Sequence, residues 1–357
     1  MKLGIVGLSQ SGKTTLFNAL TRGDQPTTMS GGRFEVHTAV VDVPDPRVER
    51  LSEMFRPRKT TFAKVTYADI AGLESGSGSR QGFPGPVLNQ LSQMDGFIHV
   101  VRCFDNPSVP HPFGEVNPQR DLEALDSEFL LNDLILVERK QERLQDELRK
   151  GGGRKKEEIQ REIALFEKLH AVLEAEKPLR TLELDADEEK ILSGFGFLTR
   201  KPVLVVLNLG EGEAPPEIAY QWPHSALVPL QGQLEMELAQ LSPEEAAMFM
   251  EEYGVEELSL SKVIRLSYDL MGLQSFFTVG EDEVRAWTVR RGASAVEAAG
   301  TIHSDLAKGF IRAEVISYAD LIALGSMAEA RKQGKLRLEG KEYPVRDGDI
   351  LHIRFNV

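Results

Sequence analysis

The sequence predicts an α/β fold: an open sheet with helical crossovers, an inserted helical hairpin, and a small α+β module at the C-terminal end. Three observations lead to this prediction. Short apolar, β-rich runs alternate with helical or loop segments over the first part of the chain and resume near residue 200. Between these two stretches the hydrophobic period becomes helical. After about residue 274, short strands and short helices alternate over fewer than a hundred residues.

The strands of the predicted sheet come from apolar runs that end at polar or glycine-rich segments. The last two runs lie far along the chain from the first four, so another element is inserted between them. The predicted strands are Lys2–Leu8, Ala39–Val43, Lys64–Ile70, Phe97–Phe104, Val203–Asn208 and Ala226–Leu230.

The inserted segment, from about Asp121 to Leu198, carries apolar residues at helical spacing. One apolar stripe runs from Leu130 to Leu148, and a second runs from Ile159 to Leu173. Glycines 151–153 separate the stripes and permit the chain to reverse. The pattern predicts an antiparallel helical hairpin whose second helix ends by Pro178.

The C-terminal module is predicted from short apolar runs separated by turn residues. Its predicted strands are Val284–Val289, Lys335–Leu338, Tyr343–Val345 and Ile350–Phe355, and its predicted helices are Ser294–Ala299 and Tyr318–Leu324.

Length and composition narrow the class of protein. A chain of 357 residues exceeds one compact core and predicts two or three domains. The net charge of -13 excludes general attraction to nucleic acid, so any such contact needs a local basic patch. The single cysteine, Cys103, excludes an internal disulfide and a cysteine-based metal site, as expected in a reducing compartment. No apolar run reaches the ~20 residues that span a bilayer, so we expect a cytoplasmic protein without membrane attachment.

The segment Gly7–Thr14, GLSQSGKT, matches the phosphate-binding loop GxxxxGK[ST]. Its glycines let backbone amides converge on an anion, and the following helix points its positive end at the same place. Lys13 is expected to reach the β- and γ-phosphates, and the Thr14 hydroxyl is expected to bind Mg²⁺. Because an apolar strand precedes the loop and a helical segment follows it, binding is strongly favoured over a chance turn.

A second motif, Asp69-Ile70-Ala71-Gly72, closes a predicted strand and follows the DxxG pattern. Asp69 is expected to hold Mg²⁺ and the Gly72 amide to contact the γ-phosphate. Leu73 stands where many switch GTPases carry a glutamine that orients water, so another group must orient the attacking water. The glycine-rich segment 74–82 is expected to order around the γ-phosphate.

Asn208-Leu209-Gly210-Glu211 ends another apolar strand, where a GTPase would carry the base-reading NKxD motif. Leu209 replaces the lysine and Glu211 replaces the aspartate that would pair with guanine. The longer glutamate does not reproduce the same two-point contact, which weakens the case for guanine and favours adenine. The motif by itself does not name the base.

These motifs resemble the YchF / Obg-like ATPase family. The resemblance rests on GLSQSGKTTLFNALT, VPDPR at Val43–Arg47, DIAGL at Asp69–Leu73, HVVRCF at His99–Phe104 and NLGE at Asn208–Glu211. It continues through EVRAWTVRRGA, HSDLAKGFIRAEVI and EGKEYPVRDGDIL to FNV, and so covers nearly the whole chain.

The resemblance implies a Ras-like P-loop G domain at residues 1–120 and 199–273. It further implies a helical hairpin domain at 121–198 and a TGS-like β-grasp domain at 274–357. It implies a preference for ATP over GTP, ribosome binding, and membership of the hydrophobically substituted group, which Leu73 matches. In this family a histidine after HVVRCF has a hydrolytic role, and His111 occupies the matching place. A solvated loop histidine is an equally good interpretation of His111.

The sequence departs from the family pattern at several positions. Gln10 stands where the phosphate loop has asparagine, and Arg33 stands where switch I has threonine. Switch I, Thr27–Thr38, therefore offers several hydroxyls to Mg²⁺, with Thr27, Thr28, Ser30 and Thr38 as alternatives. The residues predicted to contact the nucleotide are Gly7, Ser9, Gln10, Ser11, Gly12, Lys13, Thr14, Thr15, Gly72, Asn208, Leu209, Glu211 and Gln231, the last in place of the SAK-like motif.

The predicted activity is Mg²⁺-dependent hydrolysis of ATP, with weaker use of GTP, by a monomer that switches with its nucleotide. Lys13 and His111 are the predicted catalytic residues, and Thr14 and Asp69 the predicted metal ligands. The ribosome or RNA is the expected partner, with a protein partner also open; the cations around the hairpin turn suit RNA as well as they suit a solvated helix end. An alternative is a regulatory protein that binds GTP, or that binds RNA or the ribosome, and in which hydrolysis is incidental; a small-molecule phosphotransferase ranks lower.

Overall fold

The computed structural model describes residues 1–23, 36–70, 83–151, 153–252 and 258–356. Within these ranges, no helix has the length and apolar character needed to cross a membrane. Packing divides the chain into two compact units, one of Met1–Ala39 with Thr66–Leu260 and one of Val40–Val65 with Ser261–Val357. Residues 40–65 therefore pack with the C-terminal part. The three predicted domain boundaries stay a prediction.

The strands of the described residues contribute many of the buried apolar side chains. In chain order they are β1 (Lys2–Val6), β2 (Val36–Asp42), β3 (Lys59–Thr61), β4 (Lys64–Ile70), β5 (Gly96–Arg102), β6 (Val203–Asn208), β7 (Ser225–Leu230), β8 (Leu273–Thr278), β9 (Glu283–Arg290), β10 (Phe310–Ser317), β11 (Arg337–Glu339) and β12 (Asp349–Phe355).

The helices of the described residues include one long hairpin and many short crossovers. In chain order they are α1 (Lys13–Thr21), α2 (Pro46–Phe55), α3 (Gly85–Ser92), α4 (Pro118–Lys150), α5 (Lys156–Glu174), α6 (Ala186–Leu192), α7 (Gly232–Ala239), α8 (Pro243–Glu252), α9 (Ser259–Leu270), α10 (Ala295–Ile302), α11 (Ser304–Lys308), α12 (Tyr318–Leu324) and α13 (Met327–Lys332), with a 3-10 turn at Leu179–Thr181.

The first sheet has the strand order β2-β4-β1-β5-β6-β7. Strands β4, β1, β5, β6 and β7 pair in parallel. Every residue of β5 and of β6 is buried, as expected when helical crossovers cover both faces of a parallel sheet. The carboxyl ends of β1, β4, β5 and β6 therefore meet at one edge of the sheet, where open α/β folds bind their ligands.

The second sheet has the order β11-β10-β12-β8-β9-β3. Strands β8 and β9 pair antiparallel, as do β10 with β11 and β10 with β12, whereas β8 and β12 are parallel. The short strand β3 lies parallel to β9 at the edge. Arg47, at the start of α2, bonds Asp347 through Nη1 over 2.7 Å and lies over the Phe277 ring. The segment 40–65 is thus tied to this sheet by strand pairing and by an ion pair.

Helices α4 and α5 form the predicted hairpin around their own apolar core, which includes Val137, Leu144 and Phe166. A buried carboxylate anchors the base of the hairpin. Asp133 Oδ1 accepts from Leu198 N over 2.9 Å, and Oδ2 accepts from Thr199 N and Oγ1, both over 2.7 Å. The hairpin is therefore fixed to the chain that leads into β6.

The predicted fold class is confirmed, and five of the six predicted strands of the first part match an observed strand within two residues at either end, whereas β2 begins three residues before the predicted Ala39. The predicted strand Tyr343–Val345 is wrong, because this stretch makes only one isolated bridge, between Ser294 and Pro344. Strands β8 and β10 do not follow from the hydrophobic pattern, because polar residues interrupt them. Gln274 in β8 is nevertheless buried, and its Nε2 donates to Val345 O over 2.6 Å.

Candidate functional site

The phosphate loop has the backbone shape that the motif predicts. Gly12 precedes α1 with φ 98°, in the left-handed region that favours glycine. Gly7 has φ 153°, and a Cβ at this position would lie 2.4 Å from Val100 O on the neighbouring strand β5. Gln10 also has a positive φ of 62°, a conformation that asparagine tolerates better than glutamine does.

The amides of the loop remain largely available to a ligand. The N–H of Ser11 donates a hydrogen bond to Leu8 O, a carbonyl of the loop, over 3.3 Å. The first helical bond of α1 runs from Leu16 N to Gly12 O, so the preceding amides at the helix start have no partner within the helix. Among the described residues, the other amides of the turn are not bonded to carbonyls of the turn, and N–H groups so arranged at the start of a helix suit an anion.

The side chain of Lys13, which is predicted to bind the β- and γ-phosphates, lies across the phosphate loop. Its Nζ donates to Gly7 O over 3.1 Å and to Leu8 O over 2.7 Å. Burial lowers the pKa of Lys13 to about 8, and the nearby carboxylate of Asp69 opposes that shift. An ammonium group that is desolvated and bonded to neutral carbonyls gains strongly from an anionic partner.

Thr14 and Asp69 are brought together beside the loop. Thr14 Oγ1 donates to Asp69 Oδ2 over 2.9 Å. Burial raises the pKa of Asp69, while the hydrogen bond from Thr14 and the charge of Lys13 lower it. Asp69 Oδ1 is buried and has no hydrogen-bond partner among the described residues. A hydroxyl and an orphaned carboxylate oxygen are ligands that Mg²⁺ prefers, so these two residues fit the cation.

Asn208 connects three segments of the site. Its Nδ2 donates to Ser11 O over 2.9 Å, and its Oδ1 accepts from Gly232 N over 3.0 Å. A Cβ at Gly12 would lie 2.1 Å from Asn208 Nδ2, so glycine is required for this approach. The buried amide of Asn208 therefore braces the phosphate loop against the start of α7.

The other residues predicted to contact the base lie close by in the chain but differ in exposure. Leu209 is buried and packs in the core of the first unit, whereas Glu211 is exposed. Gln231 precedes α7 and is partly exposed. Between them, Gly210 N–H donates to Glu213 Oε2 over 2.9 Å, a contact that the four-residue motif does not predict.

His111 lies in the loop between β5 and α4, with its side chain only 4% exposed. Its Nε2 is 2.8 Å from Asp121 Oδ2, and its Nδ1 accepts from Phe113 N over 3.1 Å. His111 and Asp121 line one small space together with Leu8, Ser9 and Ser11 of the phosphate loop. The solvated loop histidine considered from the sequence is therefore not what the structure has.

Three residues near the loop do not follow from the sequence motifs. Asp121 comes in the first turn of α4, where an acidic residue usually only complements the helix dipole. His99 on β5 is buried, and burial together with the charge of Lys13 lowers its pKa to about 3, so it stays neutral. Arg102 ends the same strand, and its Nη2 donates to Val109 O over 2.9 Å within the His111 loop.

The remaining predicted site residues divide into two groups. Ser9, Gln10 and Thr15 are partly exposed in or beside the loop. Gly72, Leu73, the segment 74–82 and the switch I alternatives Thr27, Thr28 and Ser30 lie outside the described residues.

Comparisons with known proteins agree with the geometry. The family YchF-GTPase_C, described as "Protein of unknown function (DUF933)", matches residues 273–356. The chain is 40% identical to the "Ribosome-binding ATPase YchF" of Bacillus subtilis (strain 168), over 99% of each chain. It is 41% identical to the protein of the same name from Pasteurella multocida (strain Pm70), over 100% of this chain and 99% of that one.

A solved structure is similar over nearly the whole length. The Schizosaccharomyces pombe YchF GTPase superposes with a TM-score of 0.84 at 32% identity, covering 99% of this chain and 97% of that chain. With a phosphate loop of the required shape and full-length similarity above 30% identity to several members, the chain belongs to the YchF family.

Proposed function

We propose that this chain hydrolyses ATP in the presence of Mg²⁺, uses GTP less well, and acts as a nucleotide-dependent switch on the ribosome. The observation that carries the proposal is the shape of the phosphate loop between β1 and α1. Most of its backbone N–H groups are not bonded to other described residues, and the Lys13 side chain lies beside it. The names of its relatives, ribosome-binding ATPases and a GTPase, support the same reaction and the same partner. A partner of that kind also supports a cytoplasmic location.

Lys13 and the loop amides would bind the triphosphate. When the anion enters, Lys13 Nζ exchanges two neutral carbonyls, Gly7 O and Leu8 O, for phosphate oxygens. Charge-assisted hydrogen bonds of this kind are stronger than those to neutral acceptors. The electropositive start of α1 adds to the attraction, because its first amides point toward the loop.

Thr14 and Asp69 would hold the Mg²⁺ ion through the hydroxyl and the orphaned Oδ1. A bound Mg²⁺ neutralises charge on the β- and γ-phosphates. The protein's part is to present two oxygen ligands on rigid elements, α1 and β4, without further reorganisation. Gly72 is proposed to contact the γ-phosphate from the segment that follows β4.

The proposed preference for ATP rests on the motif after β6. Asn208 uses both ends of its amide to brace the phosphate loop. Glu211 is exposed and longer than the aspartate that pairs with guanine in other GTPases. Main-chain groups near Leu209 and Gln231 would then contact the base. Adenine can be bound in this way without the acidic side chain that pairs with guanine.

His111 is the residue proposed to orient the attacking water. Its side chain shares a space with Leu8, Ser9 and Ser11, yet both of its ring nitrogens are occupied in this structure. Turnover is therefore expected to be slow until a partner changes the loop. The same observation favours the second candidate, a ribosome-binding regulator in which hydrolysis is incidental.

The basic cluster at the hairpin tip is a weaker indication of RNA contact than its charge alone predicts. Arg149 and Lys150 both pair with Asp146, and Arg154 pairs with Glu162 and Glu147. Ion pairs of this kind reduce the charge available to phosphate groups. The ribosome-binding surface is thus not assigned to the hairpin tip.

The test is to measure turnover and binding of ATP and GTP by the purified chain, with and without ribosomes. Lys13→Ala is expected to weaken nucleotide binding by about tenfold to a hundredfold, the usual range for a hydrogen bond to a charged group. Lys177→Ala, which removes an exposed lysine, serves as the matched control. Unchanged nucleotide affinity in Lys13→Ala would refute the proposal. Nucleotide-dependent ribosome binding without stimulated turnover would favour the second candidate.

A further inference from the structure

His111 is held by hydrogen bonds to both of its ring nitrogens. Nδ1 accepts the N–H of Phe113, so a neutral ring carries its proton on Nε2, which donates to Asp121 Oδ2 over 2.8 Å. A histidine takes a proton from water only through a ring nitrogen that is unprotonated and unoccupied. His111 has no such nitrogen in this arrangement.

Asp121 is the fixed member of this pair. Arg120 donates to Asp121 Oδ1 from Nε over 3.0 Å and from Nη2 over 2.8 Å. Arg120 also lies over the Phe113 ring at 4.9 Å and donates to Glu115 O. Asp121 stands in the first turn of α4, next to the fully buried Leu122. The carboxylate is therefore held by the helix and by a guanidinium group together.

The loop that carries His111 is more exposed than the start of α4. Residues 105–108 and 112–115 are exposed, and Arg120 contacts the second of these stretches through the Phe113 ring and Glu115 O. Arg102 fixes the first part of the loop, through Phe104 O over 3.1 Å and Val109 O over 2.9 Å. The bond from Phe113 moves with the loop, because it is only two residues away from His111. When the pair separates, His111 is thus the member that moves.

The space that the pair shares with the phosphate loop has no room for a water molecule. His111 and Asp121 line it together with Leu8, Ser9 and Ser11 of the phosphate loop and with residues 99–102 of β5. Ser11 Oγ is buried there without a hydrogen-bond partner among the described residues. A water that His111 could orient enters this region only after the ring has left Asp121.

We propose that Asp121 is a positioning residue that holds His111 in an inactive place, and that hydrolysis requires the His111–Asp121 bond to open. The proposal rests on the proposed function, in which His111 orients the attacking water. It would account for the slow turnover that is expected of the free protein. A ribosome that displaces the loop 105–117 would raise turnover without adding a group to the site.

The opposite role for Asp121 is a carboxylate that activates a catalytic histidine. In such a pair the carboxylate binds one ring nitrogen and leaves the other free to take the proton. Here the second nitrogen is occupied by the N–H of Phe113. The geometry therefore favours holding over activation, and the two roles predict opposite effects of removing the charge.

The experiment compares ATP turnover of the full chain with Asp121→Asn, without ribosomes. The amide side chain cannot accept from His111 and Arg120 at once, because only one of its two ends is an acceptor. We expect kcat to rise about tenfold with KM within about twofold, the equivalent of about 1.4 kcal/mol. Ribosome stimulation is expected to shrink by a similar factor. A lower or unchanged kcat would overturn the proposal.

Two further variants distinguish a failure of this proposal from a failure of the proposed hydrolase function. Glu123→Gln removes an exposed carboxylate from the same helix and is the matched control. In a His111→Ala background, Asp121→Asn is expected to have no effect on kcat; a rise that persists there contradicts the mechanism. If His111→Ala alone leaves turnover unchanged while Lys13→Ala weakens nucleotide binding, this inference fails and the hydrolase function stands.

A measurement on the unaltered protein does not depend on whether Asp121→Asn folds. Nitrogen-15 spectra of the histidine rings, assigned with His111→Gln among the 7 histidines, report the tautomer and exchange of each ring. We expect His111 in the nucleotide-free protein to show a fixed Nε2–H tautomer that exchanges slowly with solvent. An averaged ring signal with rapid exchange would overturn the proposal.

Discussion

Two buried aspartates of the first unit show how differently the same side chain is used. Asp69, at the end of β4, is 2% exposed, and Asp133, within α4, is 0% exposed. Asp133 accepts three hydrogen bonds through both oxygens, from Leu198 and Thr199. Asp69 accepts one from Thr14, and its Oδ1 is left without a partner among the described residues.

The difference distinguishes a buried carboxylate whose hydrogen bonds are complete from one that is proposed to bind a cation. Leaving a buried polar atom unpaired costs free energy, so an orphaned oxygen persists where another group satisfies it during function. Asp69 lies beside the phosphate loop, where a cation would complete its contacts. Asp133 is complete already, and it joins the hairpin to the strand that carries Asn208. Three predictions follow from this contrast.

The largest expected effect is on stability. Asp133→Ala leaves three buried donors unsatisfied, which is expected to lower the free energy of unfolding by roughly 3 kcal/mol or more. Asp69→Ala removes one bond and one poorly satisfied charge, so its expected cost is within about 1 kcal/mol. Urea unfolding of both variants, without nucleotide and with EDTA, checks this. Equal losses in the free energy of unfolding of the two variants would contradict the contrast between Asp133 and Asp69.

A second prediction concerns the cation. Asp69→Asn keeps an acceptor for Thr14 but loses the charge that attracts Mg²⁺. Nucleotide affinity measured with Mg²⁺ is expected to fall by about tenfold, the loss of about 1.4 kcal/mol, and affinity measured in EDTA is expected to stay the same. The control is Asp95→Asn. Asp95 is an exposed carboxylate directly before β5, at the edge of the sheet opposite to the phosphate loop. A loss that is equal in both conditions would contradict a metal role for Asp69.

The smallest expected effect is a pH dependence. Burial raises the pKa of Asp133 to about 6, although Thr199 and Leu198 donate to it and lower the value. Because the folded pKa lies above the unfolded one, the folded state binds more protons, and the stability that this proton contributes is finally lost as pH rises through about 6. Between pH 5.5 and 7.5 the free energy of unfolding is expected to fall by about 1 kcal/mol relative to Asp133→Asn.

Urea unfolding of Asp133→Asn and the parent chain at these two pH values measures the difference directly. The exposed substitution Glu123→Gln, tested at the same pH values, accounts for general effects of charge. If the parent chain and Asp133→Asn change in parallel with pH, burial does not raise the pKa of Asp133, and the carboxylate is better solvated than its contacts indicate.

The strands of the first sheet, the hairpin and the phosphate loop could be predicted because each depends on neighbouring residues. Apolar runs, helical spacing and the order of glycines in Gly7–Thr14 act within a few residues of one another. The second sheet was harder to predict. Gln274 in β8 and Glu314 in β10 interrupt the apolar pattern, and partners far along the chain bury them. The 40–65 segment is similar, since β3 pairs with β9 and the pairing partner is not visible locally.

The sequence by itself determined the phosphate-loop motif, the aspartate of the DxxG motif and the family, because spacing along the chain encodes them. Tertiary structure alone decided what surrounds them. Asn208 reaches Ser11 across 197 positions, and Asp133 reaches Thr199 across 66. It also decided that His111 points at Asp121 rather than into solvent. The physical reason is that burial and the pairing of distant polar atoms arise only when separate segments pack together, whereas backbone shape in a short loop is set by the residues of the loop.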